Sequence, residues 1–367
     1  MYYSFNNLMM RTYFYYFLLT VLACLLIVSC GSENDPAPLP KVSGVFIINS
    51  GNFGQSNGEL SFYDPVNSAI QNGMVKTANN GSEIGAAIES FFIHQNMGYI
   101  VCNAPDKIEI VDYDLKYAGN PITGLITPRY MAADGSLAYV SCWGPFGPFF
   151  DLPDSYVAVI DLMSRQVIDT IQCGQGPEAV LVHQGKLFIA NSYENSITVY
   201  RISAKTYNTI TLDAAPQQFE VDSQGRIWVS MGSYFGVYPS EKTGLAVIDP
   251  VNETVQSTLA VPEISDEGQI ALNSGGDGLY LMKAEAWPGT GTEVWMVNTS
   301  SMQLDIAPVV SGDNFYGLSF NKSTDQLLVT DVRAFQGNGQ LLVYTASGTL
   351  IDTQTTGIGP WQMVFTE

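Results

Sequence analysis

A single all-β domain, a seven-bladed β-propeller whose ring is closed by the C-terminal strand, is the fold this sequence predicts. Three observations predict it. First, one strand signature, apolar-x-apolar-apolar followed by a polar residue, occurs seven times, with its last residues 40–49 positions apart. A repeat of that length built from short strands is the mark of a propeller. Second, a blade-start motif recurs as Thr127-Pro128-Arg129-Tyr130, Gly176-Pro177-Glu178-Ala179, Ala215-Pro216-Gln217-Gln218 and Gly359-Pro360-Trp361-Gln362. Third, Trp361–Thr366 reads as an inner strand without a blade of its own, while the first unit lacks one. Pairing the two closes the ring and removes the exposed edges of an open array. A pair of open β-sandwiches also has many short strands but does not repeat at this interval. Rings of six or eight blades are the near alternatives.

The first unit starts near Gly44 and supplies an apolar run, the strand Leu60–Asp64 and an outer strand near Ile70. The second carries Ile108–Asp112. The third is the clearest: Tyr130–Ala133 inside, the turn Asp134-Gly135-Ser136, then Leu137–Cys142, a long loop, Tyr156–Ile160, and Gln166–Ile171 outside. Units four to seven carry Ile197–Arg201, Leu245–Asp249, Val294–Asn298 and Leu341–Thr345. Each unit is read as four strands. The strands are rich in Val, Ile, Tyr and Phe and the turns in Asp, Gly, Ser and Asn, as pleated surfaces and tight hairpins require.

The chain of 367 residues is 46% hydrophobic, ample for a packed core, and carries a formal net charge of −20. That charge argues against nucleic acid, which needs a basic footprint. It argues equally against contact with anionic lipid through protein charges. Residues 44–367 form the propeller. Residues 1–29 read as a signal peptide, with Arg11 ahead of an apolar run from Tyr13 to Val28. The run ends Ile27-Val28-Ser29-Cys30-Gly31, which resembles the bacterial lipobox and implies cleavage before a lipidated Cys30. A plain signal peptide and an uncleaved anchor are the competing readings, although about 16 residues is short for a span. Residues 30–43, rich in Pro, read as a flexible tether. The membrane is therefore met through a lipid anchor only. Glu33 and Asp35 after the cysteine resemble a surface-export signal, which places the protein on the outer membrane, facing outward. Cys102 and Cys142 hold the same place in neighbouring units and Cys173 stands alone, so buried free thiols are expected.

Two sets of loops meet on one face of a propeller: those entering each inner strand and those joining strands two and three. The second set is long and studded with aromatics and amides. It supplies Asn52 and Phe53 in blade one, Asn103 in blade two, and Trp143 and Phe146 in blade three. Tyr193 follows in blade four, Tyr234 and Tyr238 in blade five, Trp287 in blade six, and Arg333 and Phe335 in blade seven. Flat apolar area beside directional hydrogen bonds suits a ring-bearing or sugar-like ligand. The residues after the blade-start prolines, Arg129 (with Tyr130), Glu178, Gln217 and Trp361, are expected at the channel mouth on that face, with Gln269 and Tyr316 as approximate equivalents. This mixed ring is unlike a phosphate site, which would gather several Arg or Lys. His94 and His183 fall near inner-strand ends, toward the opposite face, and read as structural. No nucleophile elbow, zinc motif or phosphate loop is present, so no catalytic residue is assigned. A lactonase-type calcium site would need Asp or Asn partners that Glu178 lacks at the other blade starts.

Phe46–Gly54, Thr127–Tyr130, Tyr139–Gly144 and Gly176–Glu178 together resemble the seven-bladed, YncE-like surface lipoproteins of Bacteroidetes. Within that group the chain is similar to the cobalamin-capturing propellers that sit on TonB-dependent outer-membrane transporters. The resemblance implies a protein that captures a corrinoid (cobalamin, vitamin B12) as cargo rather than cofactor and passes it to such a transporter. A corrinoid is flat-faced and rimmed with amides, which an aromatic, amide-rich face would suit. The extended Trp143–Leu152 loop departs from the pattern. A glycan-binding or protein-docking propeller is the alternative, and a calcium-dependent lactonase-type hydrolase a further one.

Overall fold

The computed structural model describes residues 44–52, 54–233, 238–264, 268–284 and 291–366. The predicted signal peptide, Cys30 and tether lie outside the described residues, as do Phe53, Tyr234 and Trp287. Seven antiparallel sheets follow one another along the chain. Blade one is β28(Pro360–Phe365)-β1(Val45–Asn49)-β2(Glu59–Asp64)-β3(Ala69–Gln71), so the C-terminal strand is its inner strand, as the sequence predicts. Val45 pairs with Phe365 and Ile48 with Gln362. Gly44 and Thr366 extend the seam, with the Thr366 N–H on the Gly44 carbonyl at 3.0 Å.

Blade three is β7(Pro128–Asp134), β8(Leu137–Cys142), β9(Tyr156–Asp161) and β10(Gln166–Gln172). Blade four is β11(Pro177–His183) to β14(Thr206–Thr211), with β12(Lys186–Asn191) and β13(Ser196–Arg201) between. Blade five runs β15(Ala215–Val221), β16(Ile227–Gly232), β17(Gly244–Asp249), β18(Thr254–Ala260). In blade six, β19(Ile270–Leu272) and β20(Gly278–Ala284) precede β21(Thr292–Asn298), whose outer partner is split into β22(Gln303–Leu304) and β23(Val310–Gly312). Blade seven is β24(Phe315–Asn321), β25(Gln326–Asp331), β26(Asn338–Thr345) and β27(Leu350–Ile358).

Blade two differs from the four-stranded expectation. It has three strands, β4(Ala87–His94), β5(Met97–Ala104) and β6(Asp106–Val111). Its fourth position holds only the bridges Ile108–Ile122 and Val111–Tyr117. Gly119, Pro121 and Gly124 interrupt that segment. Proline cannot donate to a ladder and glycine weakens a strand.

The polar residue that ends the repeated signature has a mechanical role. Asp64, Asp161, Asp249 and Asn298 each accept, at Oδ1, the backbone N–H groups two and three residues on, at 2.8–3.2 Å. This Asx cap builds the turn into the outer strand, and a residue at positive φ follows in each: Ser68, Arg165, Glu253 and Met302. Hydrogen bonds hold the three aspartates below the usual carboxylate range, led by the Asn67 side chain for Asp64, the Ser164 N–H for Asp161 and the Asn252 N–H for Asp249.

Apolar layers between the blades form the core. Cys102 packs with Phe46, Ile88 and Phe91, and Cys142 with Tyr99, Val101 and Ile108. The two thiols thus belong to different layers and are both free. Burial pushes each up to about 12. His94 and His183 end the inner strands β4 and β11, where each Nε2 meets a carbonyl in the first turn of the next blade, Gly135 at 2.7 Å and Gly225 at 3.0 Å.

Among the described residues, every inner strand except β19 shows a register shift near its start. It falls at Ile88/Ser90, Pro128/Met131, Pro177/Val180, Pro216/Phe219, Phe315/Gly317 and, in β28, opposite Ile48/Asn49. In three blades a hydroxyl of the second strand fills the gap. Ser141 accepts from the Tyr130 N–H at 3.0 Å, Ser230 from Gln218 at 3.1 Å and Thr330 from Gly317 at 2.8 Å. Ser141 and Thr330 also donate to the next blade start, the Glu178 and Pro360 carbonyls, both at 2.7 Å. Thr330 is fully buried. Thr330→Val keeps its shape but leaves the Gly317 N–H and the Pro360 carbonyl unpaired, which costs about 1–3 kcal/mol per group. Urea unfolding of this variant is expected to show a lowered midpoint with an unchanged slope.

Candidate functional site

A β-bulge adds a residue to one strand and re-aims its side chain. The bulges here contain Glu89, Arg129 and Tyr130, Glu178, Gln217 and Gln218, Tyr316, and Trp361. With Ser50, these same residues line one cavity of about 210 Å³. The cavity is a pit built by the bulged positions of six blades.

Its centre is an ion cluster. Arg129 donates to Glu178 through Nε, at 3.1 Å to each oxygen, and through Nη2 at 2.9 Å, while Nη1 lies 2.5 Å from Glu89 Oε2. Their side chains are only 11–18% exposed. Burial alone would lower the Arg129 pKa, but Glu178 and Glu89 outweigh it and hold the guanidinium above its ordinary value. The Trp143 ring covers Arg129, 4.2 Å from Cζ to the ring centroid, a cation–π contact. Asn103 Nδ2 donates to Glu89 Oε1 at 2.9 Å. Across the pit, Gln218 Nε2 donates to the Tyr130 hydroxyl at 2.7 Å, tying blade five to blade three. Burial, then the Glu178 charge, raises that phenol well above its ordinary range. Tyr130 meets Trp361 edge-on at 5.8 Å, and Tyr316 meets Phe335 at 5.5 Å.

An aromatic ladder leads out from the pit along the loop between β8 and β9. Trp143 contacts Tyr193 at 5.2 Å and Phe146 at 6.0 Å, and Phe146 contacts Phe150 at 6.3 Å. Phe149 and Phe150 are 88% and 73% exposed. The loop is held by backbone bonds between Gly147 and Asp151 and between Phe150 and Gly147. Phe150 takes φ +60° there, costly for a bulky residue. The Trp143 Nε1–H is buried without an acceptor among the described residues.

Of the residues predicted from sequence, Arg129, Tyr130, Glu178, Gln217 and Trp361 meet at the pit, with Tyr316. Trp143, Phe146, Tyr193, Asn103 and Phe335 surround it. Others lie elsewhere. Asn52 is bound within its own loop by Asn57. Tyr238 packs against the core layer between blades four and five. Arg333 is exposed at the start of a turn whose three residues all have positive φ. Gln269 is buried and is not among the residues that line the cavity. Glu89, Gln218 and Ser50 are the residues sequence reasoning missed. Blade two has no blade-start proline, so the motif skips it. The matched cysteines carry the missing register: Cys142 pairs with Pro128 and Cys102 with Ile88, which sets Glu89 in the place of Arg129.

A family model described as a domain of unknown function, DUF5074, matches residues 43–356. The chain belongs to this family. No curated protein matches it. Solved structures share its fold at low identity. A Lactobacillus plantarum protein is 15% identical with a TM-score of 0.65, covering 89% of this chain and 100% of its own. The periplasmic gluconolactonase of Pseudomonas aeruginosa is 14% identical with a TM-score of 0.62, covering 88% and 99%. A quinonprotein alcohol dehydrogenase-like protein of Bacteroides thetaiotaomicron is 13% identical with a TM-score of 0.61, covering 88% and 78%.

A second titratable group sits deeper on an inner strand. Glu220, on β15 two residues past Gln218, is raised from 4.5 to about 7 by burial, with Lys322 opposing. A folded-state pKa above the unfolded one gives stability that is fully present below pH 4.5 and is lost as pH rises through 7. Glu220→Gln is therefore expected to be more stable than wild type at pH 8, by about 1–3 kcal/mol. The difference should vanish below about pH 4.5, as read by chemical denaturation across that range.

Proposed function

We propose that this protein is a surface lipoprotein that captures a ring-bearing ligand, a corrinoid in the first instance, and hands it to a TonB-dependent outer-membrane transporter. The observation that carries this reading is the convergence of bulged residues from six blades on one polar pit beside an aromatic ladder. Neither half alone makes a site for such a ligand. A cavity of about 210 Å³ is below the roughly 300–1,000 Å³ of a pocket that engulfs a drug-sized molecule. A macrocycle would lie across the mouth, its flat face on Trp143, Phe146 and Phe150, with one peripheral arm in the pit. Both histidines lie at the far ends of their inner strands, so recognition would leave the axial ligands of the cobalt in place.

The fold shared with a gluconolactonase raises a hydrolase reading. Glu178 would be its acid or base, yet both of its oxygens accept from Arg129. General acid–base work needs a carboxyl within reach of the substrate proton and free to exchange one. Binding is the better fit.

The test is calorimetric titration of cyanocobalamin into soluble protein beginning at Gly31. The expected result is one-to-one binding and a red complex that co-elutes. Trp143→Ala and Trp361→Ala should each weaken it about tenfold, the loss of roughly 1.4 kcal/mol of aromatic contact. No heat and no coloured complex would remove the corrinoid and bring glycans forward. Full affinity in both variants would place binding away from the pit.

A further inference from the structure

The pit has a charge preference that the capture reading does not require. We propose that it is an anion-excluding site that takes neutral or cationic hydrogen-bond donors, such as a carboxamide N–H, an ammonium or a hydroxyl, and rejects carboxylate and phosphate. This rests on the pit being the ligand site, and it names the chemistry of the arm that enters.

Arg129 is the one cation among the lining residues, and it is already engaged. Each of its three nitrogens lies on a carboxylate oxygen of Glu89 or Glu178, and one face of the guanidinium is under Trp143. A guanidinium free to grip an anion would leave its fork without carboxylate partners. Here Nε, Nη1 and Nη2 are all held by the two carboxylates. Two carboxylates against one guanidinium leave the cluster with a net negative charge. The side chains are mostly desolvated, so that charge is weakly screened. Lys107, on β6 of the same blade as Glu89, gives no relief, since it is held by Glu109 at 2.7 Å and by the Ile84 carbonyl. The chain's net charge of −20 acts in the same direction. An entering anion would shed water beside like charge. An amide or ammonium would find carboxylate and amide oxygens.

Trp143 and Trp361 flank the pit and make the preference measurable without any ligand. Fluorescence quenching by iodide, caesium and acrylamide is compared in the full-length protein. Trp143→Phe and Trp361→Phe isolate the pit signal by difference. High constant ionic strength screens the overall charge, and values are normalised to N-acetyltryptophanamide. Caesium and acrylamide are expected to quench the pit tryptophans at least about threefold better than iodide, the direction set by a negative field at the mouth. Glu89→Gln with Glu178→Gln should narrow that gap. Iodide quenching as effective as caesium in the wild type would overturn the proposal, whether or not the double variant folds. A second arm compares cyanocobalamin with its monocarboxylic acids, in which one peripheral amide is hydrolysed. At least one acid should bind more than tenfold weaker at pH 7, and equal affinity for all of them would also overturn the proposal. If cyanocobalamin itself does not bind, the corrinoid reading fails alone, and the quenching result still decides the charge preference.

Discussion

The hydroxyl that sits in an inner-strand bulge is the interaction on which the rest of the structure depends. A bulge leaves a backbone N–H without a ladder partner, and a buried orphan costs about 1–3 kcal/mol. Ser141, Ser230 and Thr330 supply the missing acceptor from the second strand. Ser141 and Thr330 also pass their own proton to the start of the next blade. One side chain therefore stabilises the irregularity within a blade and the junction between two blades. The bulge persists because its hydrogen bonds are satisfied, and the ring gains directional contacts that the apolar layers cannot give.

The same irregularity makes the site. A regular strand alternates its side chains, so only every second residue would face the channel. The bulges turn Arg129 with Tyr130, and Gln217 with Gln218, toward one pit. Arg129 can sit there because its charge is met on both sides and its face is covered by Trp143. A buried cation with one partner missing would be strongly unfavourable. The cluster is thus complete without a ligand, so a ligand at the pit would meet a low ordering cost. The blade-three loop follows the same logic: its backbone bonds keep Phe150 at an unfavourable φ so that the aromatic ladder stands out from the surface.

Much of this was legible in the sequence. The sevenfold signature, its terminal Asp and the C-terminal closing strand all follow from residue types at fixed spacing. Proline after a small residue marks the blade starts, so Arg129, Glu178, Gln217 and Trp361 can be placed at the mouth from the sequence alone. What was not legible depends on register. Glu89 lacks the proline signal, and Gln218 faces the pit only because of a bulge that no local residue announces. The missing outer strand of blade two was foreshadowed by Pro121 between two glycines, a weak signal against a repeat that is otherwise strong. Loop membership puts Tyr238 on the binding face, although an aromatic in a loop is as easily absorbed by the neighbouring core.

Ring closure and the site share one strand. β28 pairs with β1, accepts the Thr330 hydroxyl on the Pro360 carbonyl, and reaches the next blade through Gln362 Oε1, which accepts from the Phe91 N–H at 2.9 Å. Blades seven, one and two are all fastened to it. The one residue it bulges outward is Trp361, whose ring meets Tyr130 in the pit. The last segment of the chain therefore carries both the closure of the fold and one wall of the pit. Opening the seam would release the most sequence-distant contacts of the ring, those that cost the most chain entropy to form. A ligand that rests on Trp361 would oppose that opening and stabilise the whole ring by an amount that grows with the logarithm of its concentration above Kd.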